Sequence, residues 1–163
     1  MLDRLTKHGL VLAEPANHGF VYRLNRDHLL APAVFAGFEA RVQLFRKLGE
    51  ACANPLLGGV SAAVFGSVAR RESTAESDID VVLVIHDDVD TTLDQWINAR
   101  DDLVDQVLRW TGNSLELITV TVAHLQNLAT SAEPIVAAWR EEARTIFGVE
   151  LASLITGTRG VNA

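Results

Sequence analysis

The sequence predicts an α/β (α+β) fold: a small sheet flanked by helices, preceded by a β-hairpin and a long helix. Three observations carry this. Apolar runs at Val60–Phe65, Val81–Ile85 and Leu115–Val122 have strand length. Between and around them, apolar residues recur at three and four, the period of a helix packed on one face. With 48% apolar and 21% charged residues in 163, the chain can bury a real core, and one main domain is the default.

The elements follow in order. Leu2–His8 reads as the last turns of a helix stopped at Gly9. Leu10–Leu12 and Phe20–Leu24 are short strands about the turn-rich Glu14–Gly19. Ala31-Pro32 opens a helix, Pro fitting the first turn. Val34, Phe35, Phe38, Val42, Phe45 and Leu48 carry its stripe to about Ala53, where Asn54-Pro55 ends it. Leu56–Gly59 links to the strand Val60–Phe65. Gly66-Ser67 turns into a short helix, and Asp78-Ile79-Asp80 opens the strand that continues through Val81–Ile85. The acidic His86–Asp90 leads into a helix over about Thr91–Trp110, with acids where the helix dipole favours them. Gly112-Asn113 turns the chain into Leu115–Val122, and Ala123–Leu128 is a short helix. Ser131 caps a helix through Arg144, Thr145–Val149 is an edge strand, and Gly157–Ala163 is a frayed tail. No internal repeat or low-complexity segment is present.

The stretch from Gly66 to Asp80 says most about chemistry. Side chains alternate along a strand, so Asp78 and Asp80 face the same way, roughly 6.5–7 Å apart at Cα. Two carboxylates so placed can share Mg2+, which takes few protein ligands and leaves positions for phosphate oxygens. Gly66 lets the backbone approach a ligand closely, and the turn into the following helix offers N–H groups to an anion. A phosphate cradle beside a carboxylate pair suits metal-assisted nucleotidyl transfer. Such transfer wants a third acid, for a second metal or for the attacking hydroxyl's proton. Glu116 is the acid within the third strand. Spacing alone fits a solvent-facing Glu equally well.

Charge is uneven. The first fifty residues hold seven basic and five acidic side chains, a net +2. The other 113 hold seven basic and sixteen acidic, a net −9, and carry the motif. Broad nucleic-acid binding through that surface is disfavoured, because such affinity comes largely from basic contacts to phosphate. A basic protein partner suits it better. The apolar runs are broken well short of a membrane span. No signal-peptide pattern opens the chain, and the single Cys52 cannot form an internal disulfide, so a cytoplasmic location is expected. Cys52 reads as a small core hydrophobe, and the five histidines show no metal-ligand spacing. Asp87, Asp88 and Asp90 lack the Gly and terminal Glu of a calcium loop, and Trp96, Trp110 and Trp139 lie on helices as core residues do.

Gly66-Ser67, then Ala69-Arg70, then Ser77-Asp78-Ile79-Asp80 resembles the signature of the polymerase-β-like nucleotidyltransferase superfamily in its minimal form. The resemblance covers about residues 34 to 150. It implies a mixed-sheet domain that binds Mg2+ and a nucleoside triphosphate (ATP favoured) and transfers NMP to a hydroxyl. Gly66, Ser67, Arg70 and Ser77 would bind the nucleotide; Asp78, Asp80 and Glu116 would bind metal and carry catalysis. Arg70 would neutralise phosphate charge or brace the loop. Two departures stand out. Arg71 occupies a position where the family commonly has Gly, strained if its φ is positive. Glu116 replaces the usual Asp, one methylene longer.

Residues 1–30 bear a second resemblance, to the recognition-helix end and wing of a winged helix-turn-helix regulator, carried by Leu5–Val11 and Tyr22–Asn25. The expected division is therefore a truncated winged-helix remnant over 1–30, the nucleotidyltransferase domain over 31–152 and a tail over 153–163. A lone wing with Arg23 and Arg26 can touch a DNA backbone but reads no sequence, so DNA binding should be weak or absent. The expected activity is Mg2+-dependent transfer of NMP to a protein hydroxyl, as in minimal transferases of toxin–antitoxin pairs, with a toxin or other protein as partner. The alternatives are a DNA-associated regulator or sensor with an inactive transferase domain, and a small-molecule (aminoglycoside-like) transferase. The hairpin and the Ala-rich helix could support a homodimer.

Overall fold

A computed structural model describes residues 1–74 and 77–157. The expected tail beyond Gly157 lies outside the described residues. The chain divides into two compact units, Met1–Gln43 and Leu44–Ala163.

The first unit opens with helix α1 (Leu2–Lys7), none of whose residues is buried. The Asn25 side-chain amide donates to the Gly9 carbonyl at 2.9 Å, tying the segment after the hairpin to the turn before it. Strands β1 (Val11–Ala16) and β2 (Gly19–Leu24) pair antiparallel from Val11↔Leu24 to Ala16↔Gly19, around the two-residue loop Asn17-His18. β1 thus runs through Glu14-Pro15, which the sequence placed in the turn. A two-stranded ribbon leaves free edges, where a proline without N–H is tolerated. Helix α2 (Ala31–Cys52) begins in this unit as expected. Among residues 1–43, Ala31 alone is buried.

The second unit holds a mixed four-stranded sheet in the order β5-β4-β3-β6, built from β3 (Gly59–Phe65), β4 (Ile79–Ile85), β5 (Leu115–Thr121) and β6 (Arg144–Gly148). β3 lies antiparallel to both β4 and β6, while β4 and β5 are parallel. The parallel pair needs a crossover, and helix α4 (Asp94–Thr111) supplies it. Helix α3 (Gly66–Arg70) sits between β3 and β4; α5 (Val122–Thr130), α6 (Pro134–Glu142) and α7 (Leu151–Thr156) follow β5 and β6.

Both faces of the sheet are covered, which explains the unbroken apolar run in β4. Val81, Leu83 and Ile85 point to one face, with Leu48 and Cys52 of α2 and Leu103 and Val107 of α4. Val82 and Val84 point to the other, with Leu125 of α5, Trp139 of α6 and Leu151 and Ile155 of α7. Each fully buried Leu, Ile or Val contributes roughly 1.5–3 kcal/mol. Burial pushes the Cys52 thiol up to about 12, as a core hydrophobe should show.

Helix boundaries moved where side chains found other work. The Asp90 carboxylate accepts from the Thr92 N–H and hydroxyl, making a local turn, so α4 starts at Asp94 rather than near Thr91. Those bonds hold the Asp90 carboxyl below its ordinary range. Asp87 accepts from the Ala123 N–H at 2.8 Å, at the start of α5. The acidic loop thus makes one local turn, at Asp90, and one long-range contact, from Asp87 to the start of α5. Ser131 closes α5 instead of capping α6, its N–H donating to the Asn127 carbonyl. α6 starts at Pro134 behind Glu133, without a side-chain cap. It stops at Glu142, so Arg144 belongs to β6 rather than to the helix.

Candidate active site

The motif residues gather where β3 ends and β4 and β5 begin. Phe65, the last residue of β3, pairs with Asp80, and Asp80 pairs with Glu116 on the parallel strand. Paired residues face the same side of a sheet. Asp80 alternates with Val82 and Val84, so it shares the face that α5, α6 and α7 cover further along. Glu116 is exposed and Asp80 is half-buried. Asp78 is exposed at the approach to β4, whose first N–H, from Ile79, donates to the Ser114 carbonyl at 2.9 Å.

Gly66 is fixed twice over. Its φ is +66°, and a Cβ there would lie 2.3 Å from Asp80 Oδ2. Close approach was expected at this glycine, and the group that approaches is the Asp80 carboxylate. Val68 and Ala69 are buried and anchor α3 to the core. Ser67 is half-buried, and its hydroxyl bonds to no other described residue. Arg71 ends α3 in the left-handed region at φ +67°. The residue that stands where the family commonly has Gly is therefore strained.

Ser77 directly precedes Asp78. Its hydroxyl accepts from the Thr74 N–H at 2.8 Å, and its carbonyl accepts from the Asn113 side chain at 2.7 Å. Arg70 is held by two carboxylates. Its Nε donates to Glu72 at 2.7 Å and its Nη1 donates to Glu142. Those bonds, Glu72 first, raise the Arg70 pKa further above its ordinary value. Glu142, the last residue of α6, is absent from the sequence motif. Its one local signal was an acid in a helix's last turn, where the dipole favours a cation.

The acids feel one another. Partial burial, then the charges of Asp78 and Glu116, raise the Asp80 carboxyl above the ordinary aspartate value, and Arg70 pulls it down. A cation between these carboxylates would relieve the repulsion, and hard oxygen donors suit Mg2+. Among the described residues, no three His, Cys, Asp or Glu side chains close into a metal cage. The donor set fits a hard divalent cation that binds through one or two carboxylates and completes its shell with water and substrate phosphates. Asp78 and Asp80 are the residues that would hold it, with Glu116 beside them. A separate cavity of about 520 Å3, lined by Ile85, Trp96, Arg100, Thr119 and His124, opens at the far ends of β4 and β5 and shares no residue with these acids. Among the described residues, no helix is long and apolar enough to cross a membrane.

Comparison with solved structures gives low likeness. A toxin–antitoxin complex with AMP-PNP shares 15% identity over 73% of this chain and 83% of its own, with a TM-score of 0.40. A mutant MntA–HpeT toxin–antitoxin shares 13% over 72% and 81%, at 0.43. A tri-AMPylated Shewanella oneidensis HEPN toxin in complex with MNT antitoxin shares 14% over 72% and 84%, at 0.41. No curated protein matches the sequence. The family model described as "Putative nucleotidyltransferase DUF294" matches residues 37–130, more than half of the chain and all of the acid cluster. By that match the chain belongs to the DUF294 nucleotidyltransferase family.

Proposed function

We propose that the chain is a Mg2+-dependent transferase that moves NMP, AMP first among the candidates, from a nucleoside triphosphate to a hydroxyl on a protein, as one partner of a toxin–antitoxin pair. The observation that carries the reading is the Asp80↔Glu116 register, with the Gly66 turn packed against Asp80. It joins the glycine turn at the end of β3 to a pair of acids on adjacent strands. The net −9 of residues 51–163 supports a protein acceptor over nucleic acid.

Each residue has a role in this reading. The Gly66-Ser67 turn and the free Ser67 hydroxyl receive triphosphate oxygens. Asp78 and Asp80 would hold Mg2+, which when bound would supply charge neutralisation at the reacting phosphate. Glu116 takes the proton of the attacking hydroxyl. The acceptor oxygen bonds to the α-phosphorus, the bond from that phosphorus to the bridging oxygen breaks, and pyrophosphate leaves. Arg70 offers its remaining N–H groups to the polyphosphate. Ser77 shapes the loop that carries Asp78.

The test is transfer from each of four α-32P-labelled NTPs with Mg2+ to lysate proteins. Asp80→Asn should lower labelling by about 10²–10⁴-fold without unfolding the chain. Unchanged labelling would refute the assigned roles. A second reading, a nucleotide sensor without turnover, draws on the strained Arg71 beside the turn. Mg-NTP binding with no label from any NTP favours it.

A further inference from the structure

We propose that Glu142 is a positioning residue, holding the Arg70 guanidinium at the end of α3 so that it is aimed at the polyphosphate before nucleotide arrives. The inference rests on the nucleotidyl-transfer reading of the same site.

The argument starts from donor arithmetic. A guanidinium carries five N–H donors. Arg70 spends one on Glu72 and one on Glu142, which leaves three for an anion. The two carboxylates differ. Glu72 is two residues away in the same loop, with 65% of its side chain exposed, so it cannot fix Arg70 relative to the sheet. Glu142 comes from a helix 72 residues along the chain and is 22% exposed. The Arg70 side chain is 43% exposed, so this charge-assisted pair acts through its direction more than through added stability.

α6 is itself well anchored. Val136 and Trp139 are buried, and the Trp139 ring meets Phe65 edge-on with centroids 6.0 Å apart. Phe65 directly precedes Gly66 and pairs with Asp80. One helix thus braces the turn twice, through Trp139 on Phe65 and through Glu142 on Arg70. The local chemistry runs against such a placement, since an acid ending a helix opposes the helix dipole. Arg70 supplies the compensating charge. Both groups act at Asp80, Arg70 favouring its anion and Glu142 opposing it, so the pair lies within electrostatic reach of the metal-binding acids. Preorganising the cation removes the ordering cost from nucleotide binding.

The experiment measures Mg-ATP and Mg-GTP affinity by calorimetry, and KM and kcat where transfer is seen, for wild type, Arg70→Ala, Glu142→Ala, Glu142→Gln and the Arg70→Ala/Glu142→Ala double variant. Thermal melts run alongside. Arg70→Ala and Glu142→Ala should each weaken affinity about tenfold, with kcat changed by less than about threefold. Glu142→Gln, which keeps an acceptor oxygen and the shape, should fall between and stays informative if the alanine variant misfolds. The double variant should bind no worse than Arg70→Ala, because Glu142 acts through Arg70. Additive losses in the double variant, or full affinity in both Glu142 variants while Arg70→Ala is weakened, would overturn the proposal. Wild type that binds Mg-NTP without transferring it removes the transferase reading and leaves the affinity test of Glu142 standing. Wild type that binds neither nucleotide overturns both.

Discussion

Asp80 is the residue on which the site's electrostatics turn. Burial and two neighbouring carboxylates raise its pKa, so its ionised form is a cost to the nucleotide-free fold. A carboxyl with a raised folded value holds its proton more tightly folded than unfolded. Stability then falls as pH rises from the ordinary 3.8 through the raised value, and the cost is fully present above it. Asp80→Asn should therefore melt at a higher temperature than wild type at pH 7 in the absence of divalent cations. The gap should close below the ordinary aspartate value, where both side chains are neutral. Mg2+ should raise the melting temperature of wild type and leave the variant nearly unmoved. Calorimetric melts from pH 3 to pH 8, with and without Mg2+, check this. A variant that melts below wild type at pH 7 contradicts the electrostatic picture, whatever its activity.

At the scale of elements, the five-residue helix α3 is held at both ends by backbone conformation. Gly66 starts it at positive φ, at no steric cost. Arg71 ends it at φ +67°, where an L side chain costs roughly 1–2 kcal/mol. Arg71→Gly removes that strain and gives back part of it as chain entropy, for a net gain of about 1 kcal/mol. Arg71→Ala keeps the strain and should gain nothing. Urea midpoints at constant m decide between them. A glycine variant no more stable than the alanine one would show that the left-handed conformation is not strained here. β4, β5 and the long helices were legible in the sequence because period and spacing are local properties. Strand alternation does not extend to Asp78, which lies just ahead of β4 at Ile79, but the place of Asp80 on that strand was legible too. Glu142 was not, since its partnership with Arg70 exists only after β6 has paired with β3 and α6 has packed against Phe65. The Ser131 cap failed because α5 ran two residues past its expected end and took that serine as its own stop. β1 ran past Pro15 because a ribbon edge does not need the missing N–H.

The whole molecule joins one unit with a full core to one that has almost none. Residues 1–43 bury only Ala31, yet expose Leu29, Phe20, Phe35, Phe38 and Val42 by between 43% and 95%. A helix segment with an open apolar side is marginal in water. Phe35, Phe38 and Val42 follow the four- and three-residue alternation of a coiled-coil seam. This unit carries five basic and four acidic residues, whereas the remainder of the chain is strongly acidic. Two copies meeting through the first unit would bring together its nearly balanced charges rather than the net −8 of residues 44–163. We therefore expect a homodimer closed along the first half of α2, with each buried Phe contributing roughly 1.5–3 kcal/mol. Light scattering across a concentration series should give twice the monomer mass at the upper end. Phe38→Glu should return the monomer and leave the melting of the second unit unchanged, since Phe38 is no part of its core. A wild type that stays monomeric at about 100 μM would overturn the homodimer.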